Sequence, residues 1–140
     1  MNIVLDASAA VGIVLSQPGT EIFSAQLEQA TFVTAPELYI AEVSNTLWKY
    51  RKADLLSLKR CELALEKAIA LPDCLELCDA LYLEAFALAC RHLHPVYDTL
   101  YLVLARRNNA AFLTQDRRLA TLGRLLEIEV VTPARLSVRS

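Results

Sequence analysis

The sequence is poor in glycine and histidine. Among its 140 residues there are only 3 glycines and 2 histidines, whereas 55% of the residues are apolar. Gly12, Gly19 and Gly123 lie too far apart to form the glycine-rich loop that cradles a nucleotide phosphate. The histidines, His92 and His94, stand together in one short segment and suggest no nucleophilic triad. These shortages argue against P-loop enzymes and triad hydrolases.

The sequence also lacks a long apolar run. Its longest stretch without a charged residue lies between Asp6 and Glu21 and is interrupted by Pro18 and Gly19. A membrane span needs about 20 mostly apolar residues. The first residues have no basic region of the secretory type, and Asp6 breaks the first apolar stretch. We therefore expect a cytoplasmic protein with no membrane partner.

No linker, repeat or low-complexity tract divides the chain. A length of 140 residues and an apolar content of 55% are enough for one hydrophobic core and exclude a disordered protein. We expect a single domain over residues 1–140.

Basic residues are absent from residues 1–48 and gather later in the chain. Two groups stand out, one around residue 50 and one toward the end of the chain: Lys49, Arg51 and Lys52, then Arg106, Arg107, Arg117, Arg118 and Arg124. Solvated helix ends explain any one of them. Together they could also hold a phosphate backbone beside an acidic pocket. Charge alone does not decide between these interpretations.

Four cysteines are present, and we expect them to be reduced in an intracellular chain. The segment with Cys74, Cys78, Cys90, His92 and His94 could suggest a zinc cluster. However, three residues separate Cys74 from Cys78, and no second matched pair follows. Buried thiols that act as small apolar fillers are the favoured interpretation for the cysteines, including Cys61.

Short strands alternate with helices along the chain. The predicted strands are Asn2–Asp6, Thr31–Thr34, Cys74–Cys78, Ala110–Thr114 and Glu129–Thr132. The predicted helices are Ala7–Ser16, Thr20–Gln29, Pro36–Lys52, Ser57–Leu71, Asp79–Arg91, Pro95–Arg107 and Asp116–Leu126. Such alternation predicts an α/β fold, in which helices cover both faces of a central, mainly parallel sheet.

Two aspartates follow predicted strands. Asp6 comes directly after Ile3-Val4-Leu5, and Asp116 comes shortly after Ala111-Phe112-Leu113-Thr114. Ligands of open parallel sheets gather beyond the carboxyl ends of the strands, so neighbouring strands would bring both acids into one crevice. Aspartate at such a junction is also a favoured helix N-cap. Both interpretations stay open for each residue.

Two more acids lie in apolar helices. Glu42 has mostly apolar neighbours, and burial of an ionised carboxylate is costly without a compensating partner. Asn45 lies one turn later and could meet the same ligand, although a thin solvent-facing stripe would also explain the pair. Asp98 opens a long apolar helix, where it complements the helix dipole or lines a pocket.

Four carboxylates gathered at one place would repel one another without a cation. Mg²⁺ and Mn²⁺ prefer such oxygen ligands and can activate water against a phosphodiester. Ser8 and Thr114 each lie two residues from an aspartate and could add hydroxyl contacts. The residues therefore suggest a metal-dependent phosphodiesterase built on Asp6, Glu42, Asp98 and Asp116.

At these residues the sequence resembles the PIN-domain family and, within it, the VapC-type toxins. Each of four segments contains one acid: LDASA at residues 5–9, EVSNTL at 42–47, YDTLYLVLA at 97–105 and FLTQDRRL at 112–119. They stand in family order across most of the chain. One departure is Arg-Asn-Asn-Ala at residues 107–110, where relatives often have a Leu-Gly turn.

The resemblance implies a PIN-like three-layer α/β/α sandwich and cleavage of RNA that depends on Mg²⁺ or Mn²⁺. It also implies a homodimer and inhibition by a small cognate antitoxin of the VapB type. Three of the acids, Asp6, Asp98 and Asp116, would hold metal directly or through water. Glu42 would complete the metal shell or position the attacking water. Asn45 and Thr114 match family positions. Separately from the resemblance, Arg117 and Arg118 are candidates to hold RNA phosphates, and solvated helix ends are the alternative interpretation for them.

Other functions were weighed on the same residues. A haloacid-type phosphatase needs a second acid two residues after the first, where Ser8 stands, and a phosphoacceptor receiver domain needs paired acids at its first strand. Both are disfavoured. A catalytically inert PIN-type module that binds nucleic acid or a partner stays open, as does a housekeeping RNA-processing nuclease.

Overall fold

The computed structural model of the chain describes residues 1–133. Its strands are β1 (Asn2–Leu5), β2 (Phe32–Pro36), β3 (Cys74–Glu76), β4 (Ala111–Leu113) and β5 (Val130–Val131). Its α-helices are α1 (Ala7–Val14), α2 (Glu21–Gln29), α3 (Tyr39–Lys52), α4 (Leu58–Ile69), α5 (Tyr82–His92), α6 (Val96–Arg107) and α7 (Arg117–Leu125). A 3₁₀ turn, Cys78–Ala80, precedes α5.

The five strands form one sheet in the order β3-β2-β1-β4-β5, and each neighbouring pair is parallel. The central strand β1 aligns Ile3 with Val33 of β2 on one side and with Ala111 of β4 on the other. The strand order reverses between β1 and β4. Open parallel sheets bind ligands at such a switch point, beyond the carboxyl ends of the strands.

Helices cover both faces of this sheet. Right-handed crossovers place α1–α4 on one face, since β1, β2 and β3 progress in one direction, and α5–α7 on the other. On that second face α6 packs across β1, β2 and β4. This architecture confirms the predicted α/β/α sandwich. No helix within residues 1–133 combines the length and the hydrophobicity that a membrane crossing requires.

The core is built around β1 and α6. Ile3, Val4 and Leu5 are all fully buried, as expected for the central strand of a sheet that is covered on both faces. Tyr101 of α6 and Phe112 of β4 are also fully buried, and their ring centroids are 5.9 Å apart. Tight packing under the switch point fixes the positions from which the acidic side chains emerge.

The start of α3 differs from the prediction. Pro36 was expected in the first turn of a helix, but it is the last residue of β2 and aligns with Glu76 of β3. The register between β2 and β1 ends at Thr34, so the missing N–H of Pro36 breaks no bond to β1. The helix begins only at Tyr39.

The predicted helix after β3 also begins and ends differently in the structure. The predicted helix Asp79–Arg91 is a 3₁₀ turn followed by α5, which begins at Tyr82. α5 ends at His92, and its C-cap residue, Leu93, adopts a left-handed conformation with φ of 52°. Left-handed leucine has no sequence signal, because glycine and asparagine usually occupy such C-caps.

The cysteines do not share one environment. Cys61 is buried between α3 and α4, as expected of an apolar filler, whereas Cys74 and Cys90 are exposed. The filler interpretation is therefore wrong for the latter two. Cys74 begins β3 at the edge of the sheet, and Cys90 lies on the solvent side of α5.

Candidate active site

Asp6 follows β1 at the switch point, and two hydroxyl groups hold its carboxylate. Ser8 Oγ donates to Asp6 Oδ2 at 2.8 Å, and Thr114 Oγ1 donates to the same oxygen at 2.6 Å. Within residues 1–133, Oδ1 accepts no hydrogen bond. Asp6 stands at the N-cap position of α1 but makes no capping bond through its side chain. The capping interpretation is therefore wrong for Asp6.

The environment of Asp6 favours the protonated acid. Burial raises its pKa to about 6, while the hydrogen bonds from Thr114 and Ser8 act in the opposite direction. The negative charges of Asp98 and Asp116 raise the pKa further. Three of the four predicted acids thus act on one another electrostatically.

Asp116 serves as the N-cap of α7. Its Oδ1 accepts a hydrogen bond from the Leu119 backbone N–H at 3.0 Å, and its own backbone N–H donates to Thr114 Oγ1 at 3.0 Å. The capping interpretation is right for this residue. Its side chain is nevertheless exposed beyond the carboxyl end of β4, and its charge raises the pKa of both Asp6 and Asp98. Capping and participation in the acidic site are compatible here.

Glu42 emerges from the first turn of α3 and is half-buried. The hydroxyl of Tyr101 donates to Glu42 Oε1 at 2.7 Å. Burial raises the pKa of Glu42 to about 7, the Tyr101 hydrogen bond lowers it, and the charges of Asp6 and Asp98 raise it. Asn45 lies one turn later on α3 and is exposed.

Asp98 lies in the first turn of α6 and contacts a histidine. His94 Nε2 is 3.0 Å from Asp98 Oδ2, and the histidine side chain is only 4% exposed. Burial raises the pKa of Asp98, the charge of a protonated His94 opposes this, and Asp116 adds a further increase. Arg118 lowers the pKa of Asp98, so this guanidinium lies close enough to offset part of the negative charge.

A second set of hydrogen bonds holds the loop between β4 and α7. Gln115 donates its backbone N–H to Ser8 Oγ at 2.9 Å. Its side-chain Nε2 donates to the Ser8 carbonyl at 2.8 Å and to Gln17 Oε1 at 2.9 Å. Ser8 and Thr114 were predicted to contact metal. In the structure their hydroxyls orient Asp6 and the loop that carries Asp116.

The packing of Gln115 requires a glycine beneath it. A Cβ atom at Gly12 would lie 2.5 Å from Gln115 Nε2 and 2.7 Å from Thr20 Cγ2. Neither distance is compatible with ordinary van der Waals contact. Gly12 therefore allows α1 to approach the loop between β4 and α7, which carries Asp116.

The two predicted RNA-binding arginines occupy different places. Arg118 donates from Nη2 to the Leu93 carbonyl at 3.2 Å and acts on Asp98. Arg117 faces the other side of α7, where it lines a cleft with Arg124. Only Arg118 therefore influences the predicted acids directly.

A divalent cation fits the chemistry of this donor set. Asp6, Glu42 and Asp98 all have raised pKa values, partly because the acids repel one another, and a bound cation would offset that repulsion. Within residues 1–133, no three acidic, histidine or cysteine side chains are close enough to form a ready cage. Mg²⁺ is usually held by one or two protein carboxylates and keeps several water ligands, so it does not need a complete cage of protein ligands.

Three residues at the site were missed by the sequence analysis. Tyr101 was treated as a core residue, His94 only as a weak zinc ligand, and Gln115 was not considered. The contacts of Tyr101 and Gln115 join positions that are 59 and 107 residues apart in sequence. The i,i+4 spacing of His94 and Asp98 was the one local signal available.

Known proteins resemble this chain along most of its length. The family profile described as PIN domain matches residues 3–125. Ribonuclease VapC3 from Pyrobaculum aerophilum is 32% identical over 126 residues, which are 86% of this chain and 93% of that protein.

Solved structures share the fold at lower identity. FitAcB from Neisseria gonorrhoeae has a TM-score of 0.62 at 18% identity, covering 94% of this chain and 97% of that one. VapBC2 from Rickettsia felis, bound to a DNA fragment from their promoter, has a TM-score of 0.61 at 16% identity, with 96% and 100% covered. The sheet order, the extent of the profile match and the VapC relative agree with the resemblance seen in the sequence. This chain belongs to the PIN domain family.

Proposed function

We propose that the protein is an endoribonuclease that depends on Mg²⁺ or Mn²⁺ and acts as the toxin of a VapBC-type toxin–antitoxin pair. The observation that carries this proposal is the electrostatic grouping of Asp6, Glu42, Asp98 and Asp116 at the switch point of the sheet. The similarity to a VapC ribonuclease at 32% identity supports RNA as the substrate.

The four acids would have different roles in binding the cation and in activating water. Asp6, with Oδ1 not hydrogen-bonded within residues 1–133, is suited to direct contact with the cation, and Asp98 and Asp116 would contact it directly or through water. When bound, the ion supplies a polarised phosphoryl oxygen and a more acidic water. Ser8 and Thr114 keep the Asp6 carboxylate in one orientation, which preorganises the site.

Glu42 is suited to orienting the attacking water. A carboxylate with a pKa of about 7 can accept a proton near neutral pH, when part of it is ionised. The hydroxyl of Tyr101 occupies Glu42 Oε1 and so fixes the carboxylate, which leaves Oε2 to face the water. Hydrolysis would then release products with a free hydroxyl on one fragment and a phosphate on the other.

Partner binding is part of the proposal. Two exposed apolar surfaces offer area for a VapB-type antitoxin and for a second copy of the chain. The first, on α3 and α4, contains Trp48, Leu58 and Leu63, and the second, on α5 and beyond it, contains Leu83, Phe86 and Tyr97. The neighbouring folds of FitAcB and VapBC2 support a toxin–antitoxin complex. A single domain over residues 1–140 that works in the cytoplasm fits this role.

Cleavage of RNA by the purified protein tests the enzymatic part. We expect turnover of single-stranded RNA with added Mg²⁺ or Mn²⁺ and none with EDTA. Asp98→Asn should reduce the rate on the order of 100-fold or more. Asp54→Asn is the control, because Asp54 is exposed and has a φ of 59°, which asparagine tolerates.

Melting curves of the same variants separate catalysis from folding. Asp6→Asn and Asp98→Asn should stay folded and melt in one cooperative transition. A folded Asp98→Asn variant with unchanged cleavage would contradict the proposal, and so would a wild-type protein that binds RNA without cutting it. The second result would favour the inert PIN-type binding module.

The toxin role needs a cellular test. Induced expression should slow growth, and co-expression of a small DNA-binding protein from the adjacent reading frame should restore it. Asp98→Asn should not slow growth. Normal growth under induction, in a strain without the adjacent gene, would favour a housekeeping RNA-processing nuclease.

A further inference from the structure

A cleft of about 310 Å³ lies beside α7 and outside the acidic site. It is lined by Gln115, Arg117, Ala120, Thr121, Arg124, Thr132 and Pro133. The lining contains two guanidinium groups and two hydroxyls but no acidic side chain. Its polar character differs from that of the apolar groove between α3 and α4, which contains Leu47, Trp48 and Leu65.

Helical spacing places the polar residues of α7 on one face. Arg117, Thr121 and Arg124 are separated by four and three residues, so they line up along the cleft. Thr132, just after β5, completes the opposite wall, and Arg124 Nη2 approaches its Oγ1 at 3.4 Å. Arg118 points elsewhere, toward the Leu93 carbonyl.

No ion pair within the described residues balances the charge of this cleft. Within residues 1–133 the ion pairs involve Arg51, His94 and Arg106, and neither Arg117 nor Arg124 takes part in one. Residues 134–140 contain two further arginines and no aspartate or glutamate. A ligand that completes the cleft should therefore be anionic, with oxygens that accept from two guanidinium groups.

The cleft is connected to the acidic site through the loop after β4. Gln115 lines the cleft with part of its surface and also hydrogen-bonds Ser8, whose hydroxyl holds Asp6. Asp116, the next residue, begins α7. An anion in the cleft would thus lie beside the loop that carries Thr114 and Asp116 of the acidic site.

We propose that this cleft binds a backbone phosphate of the RNA that flanks the phosphate to be cleaved. The inference rests on the proposed ribonuclease function and adds a subsite to it. Arg117 and Arg124 would contact the phosphate oxygens, and Thr132, whose hydroxyl accepts from Arg124, would donate a hydrogen bond. The Thr121 hydroxyl donates to the Arg117 carbonyl at 2.9 Å and lines the cleft between the two arginines. Contacts to phosphates position the chain and are independent of sequence, so the subsite would favour longer RNA without selecting bases.

Direct binding measures the subsite without cleavage. We would record the fluorescence anisotropy of a labelled single-stranded RNA with the Asp98→Asn protein in Mg²⁺. The RNA should have about 12 nucleotides, which is long enough to cover both sites. Adding Arg124→Ala should raise Kd roughly 3- to 10-fold and lower the slope of log K against log salt by about 0.7. Arg60→Ala is the matched control, because Arg60 is exposed on α4 across the sheet.

Substrate length provides a second readout. In the otherwise wild-type enzyme, Arg124→Ala should raise KM for the long RNA several-fold, with little change in kcat. It should leave cleavage of a dinucleotide unchanged, because a dinucleotide has no flanking phosphate. Equal losses on both substrates, or losses no larger than those of Arg60→Ala, would overturn the subsite.

The outcomes also separate this inference from the proposed function. If no RNA is cleaved in either metal but Arg124→Ala still weakens RNA binding, the nuclease proposal fails and the phosphate subsite stands. If cleavage proceeds and Arg124→Ala matches Arg60→Ala, only the subsite fails. A competition experiment tests for a protein ligand instead. If an acidic peptide displaces the labelled RNA at a lower concentration than unlabelled RNA does, and if Arg124→Ala removes this effect, the cleft binds a protein partner and the inference is overturned.

Discussion

The two oxygens of the Asp6 carboxylate have different surroundings. Oδ2 accepts from both Ser8 and Thr114, and these two hydroxyls lie 3.4 Å from each other. A carboxylate held at one oxygen keeps its orientation and can still offer the other oxygen to a ligand. The hydroxyls also lower the pKa of Asp6, against the larger effect of burial. With its pKa at about 6, Asp6 is largely ionised near neutral pH in the absence of a cation.

Tyr101→Phe should affect Glu42 specifically. Because the hydroxyl of Tyr101 lowers the pKa of Glu42, its removal should raise that pKa above about 7. We expect the rising limb of the pH–rate profile to move to higher pH and the rate at neutral pH to fall several-fold. The rate at high pH should recover. Carboxyl NMR titration of Glu42 would measure the shift directly.

A control variant distinguishes this effect from a general loss of packing. Tyr39 is also fully buried, but its hydroxyl donates to the Ala68 carbonyl at 2.6 Å. Tyr39→Phe should cost about 1 kcal/mol of unfolding free energy and leave the pH profile in place. An identical shift in both variants would contradict the assigned role of Tyr101.

The acids were predictable from sequence because each is conspicuous locally. Asp6 ends an apolar strand, and Glu42 and Asp98 interrupt apolar helices. Their partners were not predictable in the same way. Tyr101 occurs in a helix whose other residues are also buried, so its sequence position does not mark the hydroxyl as a partner of Glu42. Only the tertiary fold brings the two residues together, because 59 positions separate them in sequence.

At the scale of elements, α7 depends on a residue of the site. Asp116 caps the helix and also contributes charge to the acids. Asparagine caps a helix about as well as aspartate, whereas alanine does not. Asp116→Asn should therefore keep the stability of the wild type and lose cleavage activity. Asp116→Ala should lose the same activity and about 1 kcal/mol of unfolding free energy.

Chemical denaturation and RNA cleavage assays on both variants would check this expectation. Retained activity in Asp116→Asn would limit the residue to its capping role. Equal stability of the two variants would contradict the importance of the bond to the Leu119 N–H.

Gly12 determines how closely α1 approaches the loop after β4. Helix propensity alone would make Gly12→Ala stabilising by roughly 1 kcal/mol. The contacts of 2.5 and 2.7 Å that a Cβ would make should outweigh this, because overpacking costs about 1–3 kcal/mol. We expect a net loss of stability, together with reduced cleavage, since Gln115 must leave its position between Ser8 and Gln17.

A double-mutant cycle with Gln115→Ala would test the assigned contact. Removing the Gln115 side chain eliminates one of the two clashes, so the double variant should be less destabilised than the sum of the single variants. The clash of the new Cβ with Thr20 remains in the double variant, so removing Gln115 should restore only part of the lost stability. Additive effects would show that Gly12 and Gln115 act independently.

Element boundaries show why periodicity is an incomplete guide. The strands and helices occur where the pattern predicts them, but Pro36 was assigned to the wrong element. Proline suits both a helix first turn and a strand end, and the pairing of Pro36 with Glu76 is a property of the assembled sheet. The length of α5 was likewise set by the 3₁₀ turn and by left-handed Leu93, neither of which has a local signature.

At the scale of the whole molecule, the stability of the metal-free protein should depend on pH. Asp6 and Glu42 have folded-state pKa values of about 6 and about 7, above those of the unfolded chain. The folded protein binds more protons in that range, so stability should decrease as pH rises from about 4 to about 7. The contribution of Asp6 alone is on the order of 2 kcal/mol.

Urea denaturation in EDTA across this range would measure the decrease. Asp6→Asn should remove the part of the decrease that Asp6 contributes and leave the part that Glu42 contributes. Saturating Mg²⁺ should raise stability most at the high-pH end, where the acids are ionised. Asp54→Asn is again the control, since its carboxylate is exposed. Stability that rises between pH 4 and pH 7 in EDTA would contradict the raised pKa values.

The hydrogen bonds from Thr114 and Gln115 to Asp6 and Ser8 join positions 107 and 108 residues apart. During synthesis, Asp6 and Ser8 leave the ribosome long before these partners have been translated. A nascent chain that lacks the last fifth of the protein therefore cannot assemble the acidic site. Under the proposed function, the protein could not cleave the ribosome or the messenger that produce it until translation is nearly finished.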